Sequence, residues 1–280
     1  MIENRPWLTV CSHLVLLLGV FIVALPVWVA LVASTHPASA FGSGSIPMWF
    51  GDQALANWQQ ALVGKEGQAS DLLRMTVNSL IMALGITFGK ILISLLSAYA
   101  IVFFRFPFRS AAFWVIFFTL MLPVEVRIVP TYEVVANLDL LNSYTGLTLP
   151  LIASATATFL FRQCFMSIPG ELVEAARIDG AGPIRFFFDI LLPLSRTNIA
   201  ALFVILFIYG WNQYLWPLIV TTDDAYYTLV MSVKRMLSVS DGDIAWNQVM
   251  VSTLLAMIPP VLVVIGMQKL FVKGLVETEK

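Results

Sequence analysis

The sequence predicts an all-α polytopic membrane protein with six transmembrane helices. Three observations carry that prediction. Hydrophobic residues make up 59% of the 280-residue chain and charged residues only 12%, about half the share usual in a soluble domain. A soluble fold of this length already exposes much apolar surface and could not hide more. Six stretches reach the roughly 20 mostly apolar residues that span a bilayer core. Lys and Arg also segregate: Arg5, Arg105, Arg109, Arg162, Arg177, Arg185 and Arg196 would fall on one side, against Lys65, Arg74, Lys234 and Arg235 on the other. The richer side is expected to be cytoplasmic, and so are both termini.

The first span is expected at 14–33. Arg5 ahead of it and Ala38-Ser39-Ala40 behind it are features of a cleaved secretory signal. The apolar run is longer than a signal core, and the Ala-Ser-Ala trails it by several residues, so a retained span is expected. Residues 34–76 form an outer loop with a short helix near 54–62. The second span is expected at 77–104 and carries Lys90 midway. The third, 111–129, is the weakest, because Pro123, Glu125 and Arg127 interrupt its second half. The fourth is expected at 146–165, the fifth at 199–220 and the sixth at 249–271. Pro217 and the pair Pro259-Pro260 are expected to interrupt helices. No internal repeat or low-complexity tract is evident, and 1–280 is expected to be one membrane domain.

Several functions are disfavoured. A formal net charge of −1 offers no electrostatic case for nucleic acid. Cys11, Cys164, His13 and His36 make no metal-ligand spacing. No GxxxxGK[ST] segment is present to cradle phosphates, so ATP chemistry would belong to a partner. A membrane enzyme would need a convergent acid–base pair or nucleophile, and none is evident.

Residues 166–198 are the most informative. Pro169 suits a first helical turn. Glu171 and Glu174 lie early, where the helix dipole favours them. Gly180 fits a left-handed C-terminal cap, Pro183 a second helix start, and Pro193 its end. Leu172, Ala175, Ala176 and Asp179 are spaced three or four apart, on one helical face. Such a helix could dock in a soluble partner or lie on lipid headgroups. The pattern Glu174-Ala175-Ala176, three residues, Gly180, nine residues, Ile190-x-Leu192-Pro193 resembles the EAA coupling loop of binding-protein-dependent ABC importer permeases. Trp211-Asn212-Gln213-Tyr214-Leu215-Trp216-Pro217-Leu218 is similar to the carbohydrate-uptake branch, the maltose-permease relatives. Gln213 departs from the acidic residue often found there. Residues 120–130 (LMLPVEVRIVP), 153–162 (ASATATFLFR) and both termini resemble branch members that import glycerol phosphoesters.

The resemblance implies a transport subunit of the bacterial inner membrane, with no cofactor bound by this chain and no enzymatic activity of its own. Its implied partners are a second homologous permease subunit, two copies of a cytoplasmic ATPase that binds ATP and Mg, and a periplasmic solute-binding protein. Glu174, Ala175, Ala176, Asp179, Gly180 and Pro193 carry the implied coupling role. The cargo would be sn-glycerol-3-phosphate or a relative. A neutral sugar, polyol or oligosaccharide is the alternative, and an ATP-independent transporter a more remote one.

Polar groups at membrane depth are the candidates for cargo contact. Lys90 either lends positive charge to an anion path or pairs and snorkels on a packing face with Gly85, Gly89, Ser94 and Ser97. Glu125 and Arg127 either pair with each other or leave Arg127 to meet a phosphate. Asn78, Asn212, Gln213 and Tyr214 suit hydroxyl groups. Trp211 and Trp216 offer flat apolar faces, or else form an interfacial aromatic belt.

Overall fold

A computed structural model describes residues 6–41, 47–63, 71–119, 124–238 and 244–276. Arg5, Lys65, Pro123, Asp241 and Asp243 lie outside the described residues, and so does the side chain of Glu125. Every regular element among the described residues is helical. In chain order these are α1 (Pro6–Ala33), α2 (Ala54–Val63), α3 (Asp71–Phe103), α4 (Arg109–Thr119), α5 (Val124–Asn137), α6 (Tyr144–Thr148) and α7 (Ala155–Met166). There follow α8 (Gly170–Ile178), α9 (Pro183–Leu194), α10 (Arg196–Trp211), α11 (Leu215–Val220), α12 (Leu229–Met236) and α13 (Trp246–Val276).

Among the described residues α1, α3 and α13 are each long and apolar enough to cross a bilayer. Two further spans result if α6–α7, bent by 49°, and α9–α10, bent by 73°, each count as one. The third expected span, 111–129, takes in most of α4, which has 11 residues, residues 120–123 outside the described ones, and the start of α5. The fifth expected span is interrupted: α10 stops at Trp211 and the chain restarts as α11 at Leu215. Pro217 sits in the first turn of α11, where a missing N–H goes unnoticed. Pro259 and Pro260, expected to interrupt, lie inside the continuous α13.

The chain forms two compact units. One comprises Met1–Arg74 with Ser232–Ile258. Asn57 knits it together: its Nδ2 donates to the carbonyls of Ser34 and His36, and its Oδ1 accepts from Asn247 Nδ2 at 2.9 Å. Trp28, Trp49 and Phe50 form an aromatic cluster there.

The other unit, Met75–Met231 with Pro259–Lys280, holds two apolar cores. In one, Met82, Ile86, Val135, Leu147, Trp216 and Val220 interlock. In the second, Leu95, Ala98, Phe161, Phe165, Phe186, Phe187 and Leu191 do so. Serine caps start two of its helices: Ser143 Oγ accepts from Gly146 N–H, and Ser154 Oγ from Ala157 N–H. Small residues set the closest approach, as expected in lipid, where packing rather than water expulsion joins helices. A Cβ on Gly210 would stand 3.0 Å from Ala83 Cα and 3.2 Å from its carbonyl oxygen. Backbone cannot yield there as a side chain can. Gly210→Leu is therefore expected to destabilise the fold by about 1–3 kcal/mol, read as earlier thermal unfolding of the purified protein in detergent.

Candidate functional site

Lys90 lies on α3 one helical turn beyond Ile86, on the face that meets α10 at Gly210. It is only 7% exposed, and its Nζ stands 3.7 Å from the centroid of the Tyr209 ring. The ring's negative face offsets part of what burying a cation costs. The neighbouring small residues serve packing. A Cβ on Gly85 would press on Thr148, one on Gly89 would strike Ile152, and Ser94 Oγ donates to Ser154 C=O. The two readings of this stretch therefore divide between adjacent faces of one helix: the glycines admit the residues before α7, while Lys90 turns toward an opening.

That opening is a cavity of about 410 Å³. Lys90, Arg127, Asn212, Gln213, Tyr214 and Trp216 all line it, with Thr131 and Tyr209. Six of the sequence candidates (Lys90, Arg127, Asn212, Gln213, Tyr214 and Trp216) thus meet in one place, from α3, α5, the α10–α11 break and α11. No carboxylate among the described residues lines it. Two cations with amide and hydroxyl groups around one cavity suit an anion bearing hydroxyls.

The break itself supplies polar groups. Asn212 N–H still donates to Ile208 C=O at 3.0 Å, closing α10. Gln213 Nε2 then reaches back to Tyr209 C=O at 3.2 Å, satisfying a carbonyl left by the helix end. A carboxylate at 213 could not donate that bond, which gives Gln213 its own structural use. Trp216 Nε1 donates to Gly146 C=O at 3.1 Å and holds α11 against α6.

Asn78 and Trp211 lie elsewhere. Asn78 donates to the carbonyls of Ala225 and Tyr227 and accepts from Tyr144 Oη at 2.7 Å, so it clamps the 223–228 turn. Trp211 is 2% exposed and stacks on Phe207. Tyr209 and Thr131 are polar cavity residues that sequence reasoning missed. For Tyr209 the available signal was its spacing, three residues before Asn212 and four before Gln213, and for Thr131 its place one turn after Arg127.

The second candidate site is the α8–α9 hairpin. Pro169 is the N-cap of α8, and Glu171 stands in its first turn. Gly180 closes the helix at φ +72, with nothing within 4 Å of the position a Cβ would take. Pro183 starts α9. Pro193 stands one residue before the end of α9 at Leu194, after a π-helical turn at Phe187–Leu191. The expected single face of α8 splits. Ala176 is buried in the second core, while Glu174, Ala175, Asp179, Gly180 and Pro193 are exposed. Ile178 and Ile184, beside the turn, are 86% and 76% exposed. Tyr99 fastens the hairpin to α3: its hydroxyl donates to Pro183 C=O at 2.8 Å, and its ring packs on Phe186 and Phe187.

Apolar spans enclosing a charged, hydroxyl-lined cavity define a multi-pass membrane transport component. The chain belongs to the family of binding-protein-dependent transport system inner membrane components, whose model matches residues 90–277. It is 60% identical to the sn-glycerol-3-phosphate transport system permease protein UgpE of Agrobacterium fabrum, over 100% of both chains. It is 57% identical to the protein of that name from Escherichia coli K12, again over 100% of both. Its fold is similar to that in a crystal structure of a bacterial ABC transporter involved in the import of the acidic polysaccharide alginate. There the TM-score is 0.80 at 18% identity, with 96% of this chain and 98% of that one covered. A crystal structure of a bacterial alginate ABC transporter in complex with an alginate pentasaccharide-bound periplasmic protein matches with a TM-score of 0.62 at 16% identity, covering 94% and 93%.

Proposed function

We propose that this chain forms one half of the path by which an ATP-driven importer carries sn-glycerol-3-phosphate, or a related glycerol phosphoester, across the inner membrane. The observation that carries the reading is the cavity, lined by no carboxylate among the described residues, where Lys90 and Arg127 stand beside Asn212, Gln213 and Tyr214. The cations suit the phosphate and the amide and hydroxyl groups suit the glycerol. Full-length identity to the glycerol-3-phosphate permeases supports the same cargo.

In this reading six spans cross the bilayer as one permease domain, with 111–129 as the third. Both termini and the α8–α9 hairpin face the cytoplasm. A second permease subunit forms the other half of the path, and a periplasmic solute-binding protein delivers the cargo. Two ATPase subunits bind ATP and Mg, and one receives α8 through Ala175, Ile178 and the Gly180 turn. The exposed apolar side chains there support a protein partner.

The hairpin has two mechanical routes to the cavity. Tyr99 ties it to α3, which carries Lys90 nine residues earlier, roughly 14 Å along the helix. Through Ser195 it continues into α10, which ends at Asn212. A movement of the docked hairpin therefore shifts both walls that hold cargo-binding groups, which is what coupling requires.

Uptake into vesicles that contain the whole assembly tests the cargo. Unlabelled glycerol-3-phosphate is expected to compete fully with labelled glycerol-3-phosphate, while maltose competes negligibly. Full competition by maltose would overturn the cargo assignment.

A further inference from the structure

A second cationic pocket lies apart from the proposed path. It has a volume of about 440 Å³ and is lined by the end of α3, the start of α4 and the end of α7. Arg109, Ser110 and Arg162 supply its polar lining, and Phe113 and Trp114 an aromatic wall. Arg162 lies over the Phe113 ring, its Cζ 4.2 Å from the centroid. Its Nε is buried and has no hydrogen-bond partner. Arg109 Nη1 reaches only the Phe104 carbonyl, at 3.4 Å, the far limit of a hydrogen bond. Each guanidinium has five N–H donors, so most of their capacity is open. No carboxylate among the described residues lines the pocket.

A buried guanidinium N–H without an acceptor among the described residues, beside the exposed cation of Arg109, is poised for an oxyanion. Position narrows the choice. The pocket sits where apolar helices end and begin, the level of lipid headgroups. Its wall is apolar, and Trp114 is 52% exposed beside it. Inorganic phosphate shares the oxyanion chemistry but has no use for that wall. A lipid phosphate carries its own hydrocarbon to cover it. We propose that Arg109 and Arg162 bind the phosphate of an anionic phospholipid, with its acyl chain along Phe113 and Trp114. The site depends on the chain's place in the membrane and not on which cargo is carried.

The test uses the intact assembly, reconstituted in nanodiscs of phosphatidylcholine with a minor share of phosphatidylglycerol. Native mass spectrometry counts the retained phosphatidylglycerol. Arg109→Gln and Arg162→Gln are each expected to weaken retention about fivefold, the effect of one basic residue at a membrane surface. Arg162→Lys, which keeps the charge but loses the fork, should fall between. Arg109 is exposed at a helix start, so its replacement spares the core; co-purification of the partner subunits checks assembly. Equal retention by wild type and both glutamine variants would overturn the proposal. Release of the lipid by millimolar inorganic phosphate would also overturn it, making the occupant a free ion. Retention of phosphatidylcholine to the same degree would do so as well, since the arginines would then select no net negative charge.

Discussion

Lys90→Met is expected to lower uptake of glycerol-3-phosphate about ten- to a hundredfold at subsaturating cargo, while leaving the protein at least as stable. A hydrogen bond to a charged group contributes about 1.5–3 kcal/mol, which converts to that range. Removing the charge should not unfold the protein. Lys90 is 7% exposed, and its described partner is the Tyr209 ring rather than a carboxylate. An uncompensated buried cation is a burden on stability, and an apolar side chain of similar length relieves it. The combination of lost transport and undiminished thermal stability separates a cargo contact from a structural lysine. Lys90→Arg should retain part of the uptake. Transport by Lys90→Met at the wild-type rate would remove this residue from the path.

Gly180→Val is expected to leave the protein inserted and assembled but to cut ATP-dependent uptake by more than tenfold. The argument is one of backbone and not of collision. Gly180 has φ +72, and nothing lies within 4 Å of the position a Cβ would take. Holding a β-branched residue in the left-handed region costs about 1–2 kcal/mol. That is too little to unfold the chain but enough to move a turn and change the angle between α8 and α9. Gly180→Asn distinguishes this from a general defect, because asparagine visits that region with least strain among the other residues. The asparagine variant should therefore transport better than the valine one. Equal, normal uptake by both variants would mean that the hairpin transmits nothing.

What was legible in the sequence follows the range of the forces involved. Pro169, Gly180 and Pro183 act on their own backbone, so the α8–α9 hairpin could be read residue by residue. Pro193 likewise falls one residue before the end of α9, but the π-helical turn at Phe187–Leu191 ahead of it carries no such local mark. The cavity was half legible. Lys90, Arg127, Asn212 and Gln213 each stood out as polar groups within apolar runs. Their meeting depends on how α3, α5 and α10 pack, which no local pattern encodes. Asn78 stood out for the same reason but is engaged by carbonyls about 150 residues away in sequence, at Ala225 and Tyr227. Tyr209 passed as one more aromatic in an apolar helix. The break at residues 212–214 was read through, because Trp211, Leu215 and Trp216 keep the stretch as apolar as an unbroken span.

That interruption has a consequence for the cell. Peptide groups outside a helix at this depth are tolerated only if protein or water meets them. The cavity beside them is lined by Lys90 and Arg127, groups that favour water over hydrocarbon. A hydrated shaft open at both ends would discharge the proton gradient on which the cell runs. On the proposed function, the assembled pathway therefore needs alternating closures, at least one shut at every moment. A substitution that jammed both closures open would harm growth even where the cargo is not needed.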